Sequence, residues 1–408
     1  MKMLLKNGRI IDGLGKVIEK GWLLIAEEKI IAIGETEDIP AEIAGQSVPE
    51  GIFDLTGKTI LPGLIDCHVH LALKGSPDPM TELLQMADAT AALHMANNAK
   101  RTLQAGITTV RDMGSKNFID LCVRDAIQTG LIAGPQMLCA GQMICITGGH
   151  GWQVGCTADG PSEVRKAVRK QIQAGVDQVK FMATGGVLTR GGRPGVPQLN
   201  PEELKAGVEE AHKIPLKTCA HSQSLEGTRN SVAAGIDSIE HGVSLDDAVI
   251  EAMVKQDVFL VPTLSAPFNI MRRGIQAGIP AEFVEKTRRV NDAHVEALAR
   301  AREAGVKIAA GTDAGTPFNL HGENAYELVL LVENGFSAVE AISCATARAA
   351  ELLNLQGAVG CISPGKQADL LIVDGNPLAD IRLLTDPKRI WAVIKNGERV
   401  LFPVKTPH

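Results

Sequence analysis

Residues 1 to about 60 alternate short apolar runs with Gly and Asn turns, as in MLLKNGRIID, GWLLIAEEKIIAIG and FDLTGKTILPG, a pattern that predicts strands and hairpins. The tail from about 358 to 408 repeats it in GKQADLLIVDGNP and IWAVIKNGERVLF. Between them, helical stretches lead into eight short apolar runs: GLIDCHVH, GITTVRD, PQMLCAG, VDQVKFMA, LKTCAH, SIEHG, VFLVPT and VKIAAGTD. The stretch SEVRKAVRKQIQA shows the helical period, with Val164, Val168 and Ile172 on one face and Ser162 placed to cap its start.

Alternation of this kind predicts an α/β fold with a parallel sheet and right-handed crossovers, open or closed. Eight strands match the closure of a (β/α)8 TIM barrel. The polar residues favour closure too, because His70, Lys180, His221, His241 and Asp313 each lie at or just past the carboxyl end of a different apolar run. A closed barrel gathers those ends on one face, whereas an open sheet spreads them. The expected organisation is a barrel over 61–357 and a small β-sandwich domain built from 1–60 and 358–408.

With 408 residues, 45% of them hydrophobic, the chain is long enough for both domains and their cores. Aromatic residues make up only 3%, and the formal charge is -6, so neither base stacking nor a basic footprint points to nucleic acid or an anionic membrane. The eight cysteines form no CxxC pair and read as reduced, buried thiols. The start, MKMLLKNGRIIDG, does not read as a secretory signal, and no run of apolar residues is long enough to span a bilayer, so a cytoplasmic location is expected. No GxGxxG opens a helix after a first strand, which leaves no dinucleotide site. A small-molecule substrate remains.

The chemistry lies at the strand ends. In His68-Val69-His70 the imidazoles are two residues apart, so strand alternation turns both toward the barrel mouth. Joined by His221, His241 and Asp313, they supply the neutral imidazole and carboxylate donors that a divalent ion such as zinc takes. Lys180 poses a conflict: an ammonium inside an apolar strand suffers desolvation and is repelled by metal cations.

The chain resembles the amidohydrolase superfamily, in the imidazolonepropionase-related branch with metal-dependent Xaa-Pro and Xaa-Arg dipeptidases. The resemblance is carried by LPGLIDCHVHL, TTVRDMG, TGGHG, VKFMATGG, AHSQS, IEHG, GTDAG and SPGKQADLLIVD. It implies a metal-dependent hydrolase of carbon–nitrogen bonds with two divalent ions, zinc being expected. His68, His70 and Asp313 would hold one ion and His221 and His241 the other, with Lys180, N-carboxylated by CO2, bridging them. It further implies hydrolysis by metal-activated hydroxide, with Asp313 passing the proton and His150 of the GGHG loop hydrogen-bonding the substrate carbonyl. Because oligomers are common in this family, a homo-oligomer is implied.

Substrate contacts are expected from His150, from Arg190 and Arg193 in the glycine-rich segment after the fourth run, from Gln223 and from His321. His94, His212 and His294 lie in helical stretches and read as surface or packing residues. Many dipeptidase-like relatives carry a tyrosine shortly after the fifth-strand histidine. Here the run is His221-Ser222-Gln223-Ser224, and Tyr326 is the only tyrosine. The expected reaction is cleavage of the amide of a dipeptide, Xaa-Pro-like, or of an N-acyl amino acid. Cyclic amide opening, heterocycle deamination, and carbamate or ester hydrolysis on the same metals stay open, because loops decide among them. A non-catalytic scaffold would be expected to lack some of these donors, and none is missing.

Overall fold

The computed structural model describes residues 2–44, 51–189 and 191–401. Strands β1 (Lys2–Ile11), β2 (Val17–Ala26), β3 (Lys29–Glu35), β4 (Ile52–Asp54) and β5 (Lys58–Pro62) open the chain. The middle carries β6 (Leu64–Val69), β7 (Ile107–Asp112), β8 (Gln136–Cys139), β9 (Ile144–Cys145), β10 (Cys156–Thr157), β11 (Gln178–Met182), β12 (Lys217–Ser222), β13 (Ser238–His241) and β14 (Phe259–Val261). Strands β15 (Leu370–Asp374), β16 (Ile390–Lys395) and β17 (Glu398–Leu401) close it. Two compact units result, one from residues 1–65, 100–109 and 322–408, the other from 66–99 and 110–321.

In the first unit both chain ends enter a single eight-stranded sheet ordered β17-β16-β15-β5-β1-β2-β3, with β4 beside β1. Alternation along β1 explains how both sheet faces are covered. Met3 and Leu5 point into a core with Leu23, Ile25, Ile60, Leu370 and Ile394, while Leu4 packs with Trp22 and Leu24 on the opposite face.

In the second unit β9, β11, β12, β13 and β14 run parallel, and their inner residues are buried on both faces, as a sheet flanked by helices requires. The eighth apolar run forms no named strand. It makes a parallel bridge at Ile308 to Leu260, and Ala314 just past it bridges Val69, with hydrogen bonds from Leu260 N to Lys307 O (2.9 Å) and from Asp313 N to His68 O (2.7 Å). At Asp313 the backbone turns left-handed (φ 58°), which ends regular pairing.

The helix expected from residue 162 spans Pro161–Ala174, with Gly160 at the N-cap and Pro161 in the first turn. Ser162 therefore lies inside the helix rather than at its cap, since the preset φ of proline starts the helix one residue earlier. Val164 and Val168 are buried, as the period required, and Gly175 ends the helix at φ 86°. Cys67, Cys139, Cys145, Cys219 and Cys344 are buried free thiols. Among the described residues no helix is long and apolar enough to cross a membrane.

Candidate active site

Strand register decides which side chains meet. Met182 pairs with His221 and His221 with Glu240, so Lys180, Met182, His221 and Glu240 share one face of β11–β13. His241 follows Glu240 directly, and regular alternation would send it to the opposite face. Its left-handed backbone (φ 70°) breaks the alternation and returns the imidazole to the same side. Ring centroids are then 5.6 Å apart for His68 and His70, 5.2 Å for His68 and His241, and 4.5 Å for His221 and His241. Asp313 Oδ1 lies 3.4 Å from His68 Nε2 and 3.5 Å from His70 Nε2. The six residues, from five separate segments, thus converge in one place.

The outward nitrogens of the rings are occupied. His68 Nδ1 donates to Glu240 Oε2 at 2.8 Å, His70 Nδ1 lies 3.3 Å from the Gly114 carbonyl, and His241 Nδ1 lies 2.7 Å from Thr263 Oγ1. His221 hydrogen-bonds the backbone of Gly185. This arrangement presents each Nε2 to the centre as a lone pair, the form that binds a metal. Burial, the largest cause, lowers His70 to about 4 and pushes His221 and His241 well below the ordinary imidazole value. These three rings, His70, His221 and His241, are neutral at pH 7. Burial opposes ionisation of Asp313, but His68, His70 and Lys180 outweigh it and hold the carboxyl below its usual range.

Two buried atoms in the cluster, Lys180 Nζ and His221 Nε2, have no hydrogen-bond partner among the described residues. Orphaned donors and acceptors cost free energy in a buried site unless something satisfies them. The candidate ligand atoms of His68, His70 and Asp313 lie within 4.8 Å of one another. This donor set of imidazole nitrogens around a carboxylate fits a divalent cation.

Around the cluster lies an open cleft of about 860 Å³, the solvent at its mouth included. Its wall is apolar away from the cluster, with Met80, Met143, Met182, Leu188, Val243, Ile270 and Val290. His150 enters from the loop between β9 and β10, its ring centroid 4.4 Å from that of His221. Gln198 Oε1 accepts from the His150 backbone N–H at 2.9 Å, and Thr189 Oγ1 bonds Nδ1. Gly186 makes room for the ring, because a Cβ there would sit 2.3 Å from His150 Nε2.

Gln223 also lines the cleft. Arg193 is exposed and is not among the cleft-lining residues, and Arg190 lies outside the described residues. His321 is buried with Nε2 3.0 Å from the Leu73 carbonyl, beside the cleft rather than in its lining. His212 is exposed and pairs with Asp237. His294 meets the packing half of its expectation, on the buried face of the helix Ala281–Glu303, and it also stands in the cleft wall. The signal was its place in the stripe Thr287, Val290, His294, Ala297.

Glu240 and Arg111 were not among the residues that the sequence pattern singled out. Arg111 Nη2 donates to Glu240 Oε1 at 2.8 Å, Ser238 Oγ donates to the same oxygen at 2.7 Å, and Arg111 Nε reaches the Cys67 carbonyl. Burial alone would raise Glu240, yet Arg111 and His68 hold it at about 2. The available clue was an ionisable residue inside each of two apolar strands, VRD and IEH.

Comparison with known proteins matches the amidohydrolase family over residues 59–400. The ochratoxinase of Aspergillus niger is 32% identical, over 96% of this chain and 85% of its own. A crystal structure of a Xaa-Pro dipeptidase with methionine bound in its active site superposes with a TM-score of 0.88 at 33% identity, covering 98% of this chain and 99% of the other. That of a putative prolidase from Bifidobacterium longum gives 0.85 at 32% identity, over 100% and 96%. These likenesses carry a TIM-barrel-like α/β fold.

Proposed function

The chain belongs to the amidohydrolase family and is a hydrolase of carbon–nitrogen bonds, and from that premise we propose that it cleaves the amide of a dipeptide or N-acyl amino acid at a two-cation centre. The observation that carries the reading is the convergence of His68, His70, Lys180, His221, His241 and Asp313 on a cluster with orphaned buried atoms. His68, His70 and Asp313 would hold one cation and His221 and His241 the second. We also take the eighth apolar run, bonded to both β14 and β6, to complete a closed barrel whose carboxyl ends form the site, with the chain-end sheet as the companion β domain.

When bound, the cations lower the pKa of a coordinated water and polarise the scissile carbonyl. The chain's own groups do the rest. Burial pushes the Lys180 amine below its ordinary value, which favours the neutral nitrogen. A neutral amine would attack CO2 and release one proton, giving a carbamate that would supply anionic oxygen ligands to the cations. This resolves the conflict of a lysine in a metal site. Asp313, ionised and in reach of His68 and His70, accepts the proton of the attacking water and returns it to the leaving nitrogen. His150 is held as neutral imidazole, lowered to about 3 chiefly by burial. With Thr189 donating to Nδ1, its Nε2–H is free to hydrogen-bond the carbonyl oxygen as negative charge develops there.

The apolar wall receives a hydrophobic side chain or acyl group, and Gln223 offers an amide to a polar substituent. The methionine in the related dipeptidase structure supports a site of this character. The test is metal analysis joined to a screen of dipeptides and N-acyl amino acids. About two equivalents of zinc, with cleavage lost on chelation and restored by zinc, is the expected result. Less than about one equivalent after reconstitution, or full turnover by metal-stripped protein, would remove the reading.

A further inference from the structure

The chain leaves β13 and β14 through strained backbone: His241 has φ 70° and Thr263 φ 53°. A β-branched residue in the left-handed region is a steric outlier, and such strain persists only where surrounding contacts over-determine it. Those contacts form a continuous set. Thr263 Oγ1 donates to the Pro262 carbonyl at 2.6 Å and lies 2.7 Å from His241 Nδ1. A hydroxyl has one proton. Since Pro262 receives it, the hydroxyl oxygen must accept from His241, which places the ring proton on Nδ1 and the lone pair on Nε2.

A second imidazole closes the set from the opposite side. His294, 3% exposed on the helix Ala281–Glu303, hydrogen-bonds the carbonyls of both Pro262 and His241. Its Nε2 has no partner among the described residues, so the donor is Nδ1–H. The Pro262 carbonyl therefore collects two donors, one from Thr263 and one from a helix remote in sequence. The His241 carbonyl, turned out of the sheet by the left-handed residue, is satisfied by the same ring.

We propose that His294 is a positioning residue that, with Thr263, locks the backbone, tautomer and ring orientation of His241 so that Nε2 faces a divalent cation. The proposal rests on the two-cation reading of the cluster. It predicts that zinc affinity depends on the Nδ1–H donor of His294 rather than on its bulk.

The experiment measures zinc affinity of the full chain by competition with a chromophoric chelator, without recourse to turnover. His294→Asn keeps an amide N–H near the position of Nδ1, and Thr263→Ser keeps the hydroxyl. Both should stay within about threefold of wild type, while His294→Phe and Thr263→Val should lose about 10-fold to 100-fold, the range for groups that orient metal-bound histidines. Wild-type affinity in His294→Phe and Thr263→Val overturns the proposal, as does a loss in His294→Asn equal to that in His294→Phe. If His294→Phe fails to fold, judged by metal-free melting, His294→Leu takes its place against His294→Asn, with the same outcomes. A wild type that takes up less than about one equivalent of zinc removes the two-cation reading and this proposal with it. Tight wild-type binding with unaffected variants removes only the proposal.

Discussion

His68 Nδ1 donates to Glu240 Oε2 at 2.8 Å, and both side chains are almost wholly withdrawn from solvent. Glu240 is in turn held by Arg111 at 2.8 Å, so one buried carboxylate neutralises a guanidinium and fixes a candidate metal ligand at once. Glu240→Gln should break both roles. The buried Arg111 would lose its counter-charge at a cost of about 3–5 kcal/mol, and zinc affinity should fall about 10-fold to 100-fold. Thermal melting of metal-free protein reads the first effect and chelator competition the second. Unchanged zinc affinity would show that His68 does not depend on this carboxylate.

Lys180 Nζ is buried without a hydrogen-bond partner among the described residues, and its pKa is lowered, first by burial. Supplying 13C-labelled bicarbonate with zinc should give a carbamate carbon resonance that is absent in Lys180→Ala. That variant should lose at least about 100-fold in kcat/KM, about 2.7 kcal/mol of transition-state stabilisation. A wild-type spectrum without the resonance, with activity intact, would count against carboxylation.

Gly186 lies against the ring of His150. Gly186→Ala should displace that ring and reproduce much of the effect of His150→Ala. For the latter, kcat should fall about 100-fold to 1000-fold, as for loss of an oxyanion-stabilising donor, with zinc content unchanged. Steady-state kinetics beside metal analysis tests this. A loss of zinc in either variant would mean that the loop supports the cluster rather than the substrate.

The pH dependence of metal-free stability follows from the buried rings. His70 and His294 are lowered to about 4, His150 to about 3, and His221 and His241 further below the ordinary value, with burial the main cause in each. An unfolded chain protonates these rings at pH ~6.5, the ordinary imidazole value. Between that pH and about 4 the unfolded state binds more protons, so stability falls as pH drops through the window. Burial raises Asp112 to about 6 and raises Asp120, and these act in the opposite sense. Five rings against two carboxyls leave a net loss, so the melting temperature should be lower at pH 5 than at pH 7.5. A flat or inverted profile would contradict the burial of the neutral rings.

Seven of the eight apolar runs are strands, because burial on both faces, continuous along most of them, leaves a signature that local sequence carries. VKIAAGTD pairs only through bridges, since Asp313 turns left-handed where the apolar pattern continues into the site. The candidate ligands were legible because histidine, lysine and aspartate stand out at the ends of apolar runs. Glu240 and Arg111 were hidden by the same logic: they lie within the strands, and only pairing across β7 and β13 makes sense of their charge. His294 was harder still, as helical position gives no hint of which strand ends the helix will cover.

Local pattern thus determined which segments become strands and helices, and the sidedness that brings His68 and His70 together, because both depend on residues near in sequence. Tertiary structure alone decided that Glu240 and His241, adjacent on one strand, face the same centre, and that Thr263 and His294 hold the second of them. The reason is physical: a left-handed residue at a strand end is unfavourable on its own and is stabilised only by partners from other strands and a distant helix.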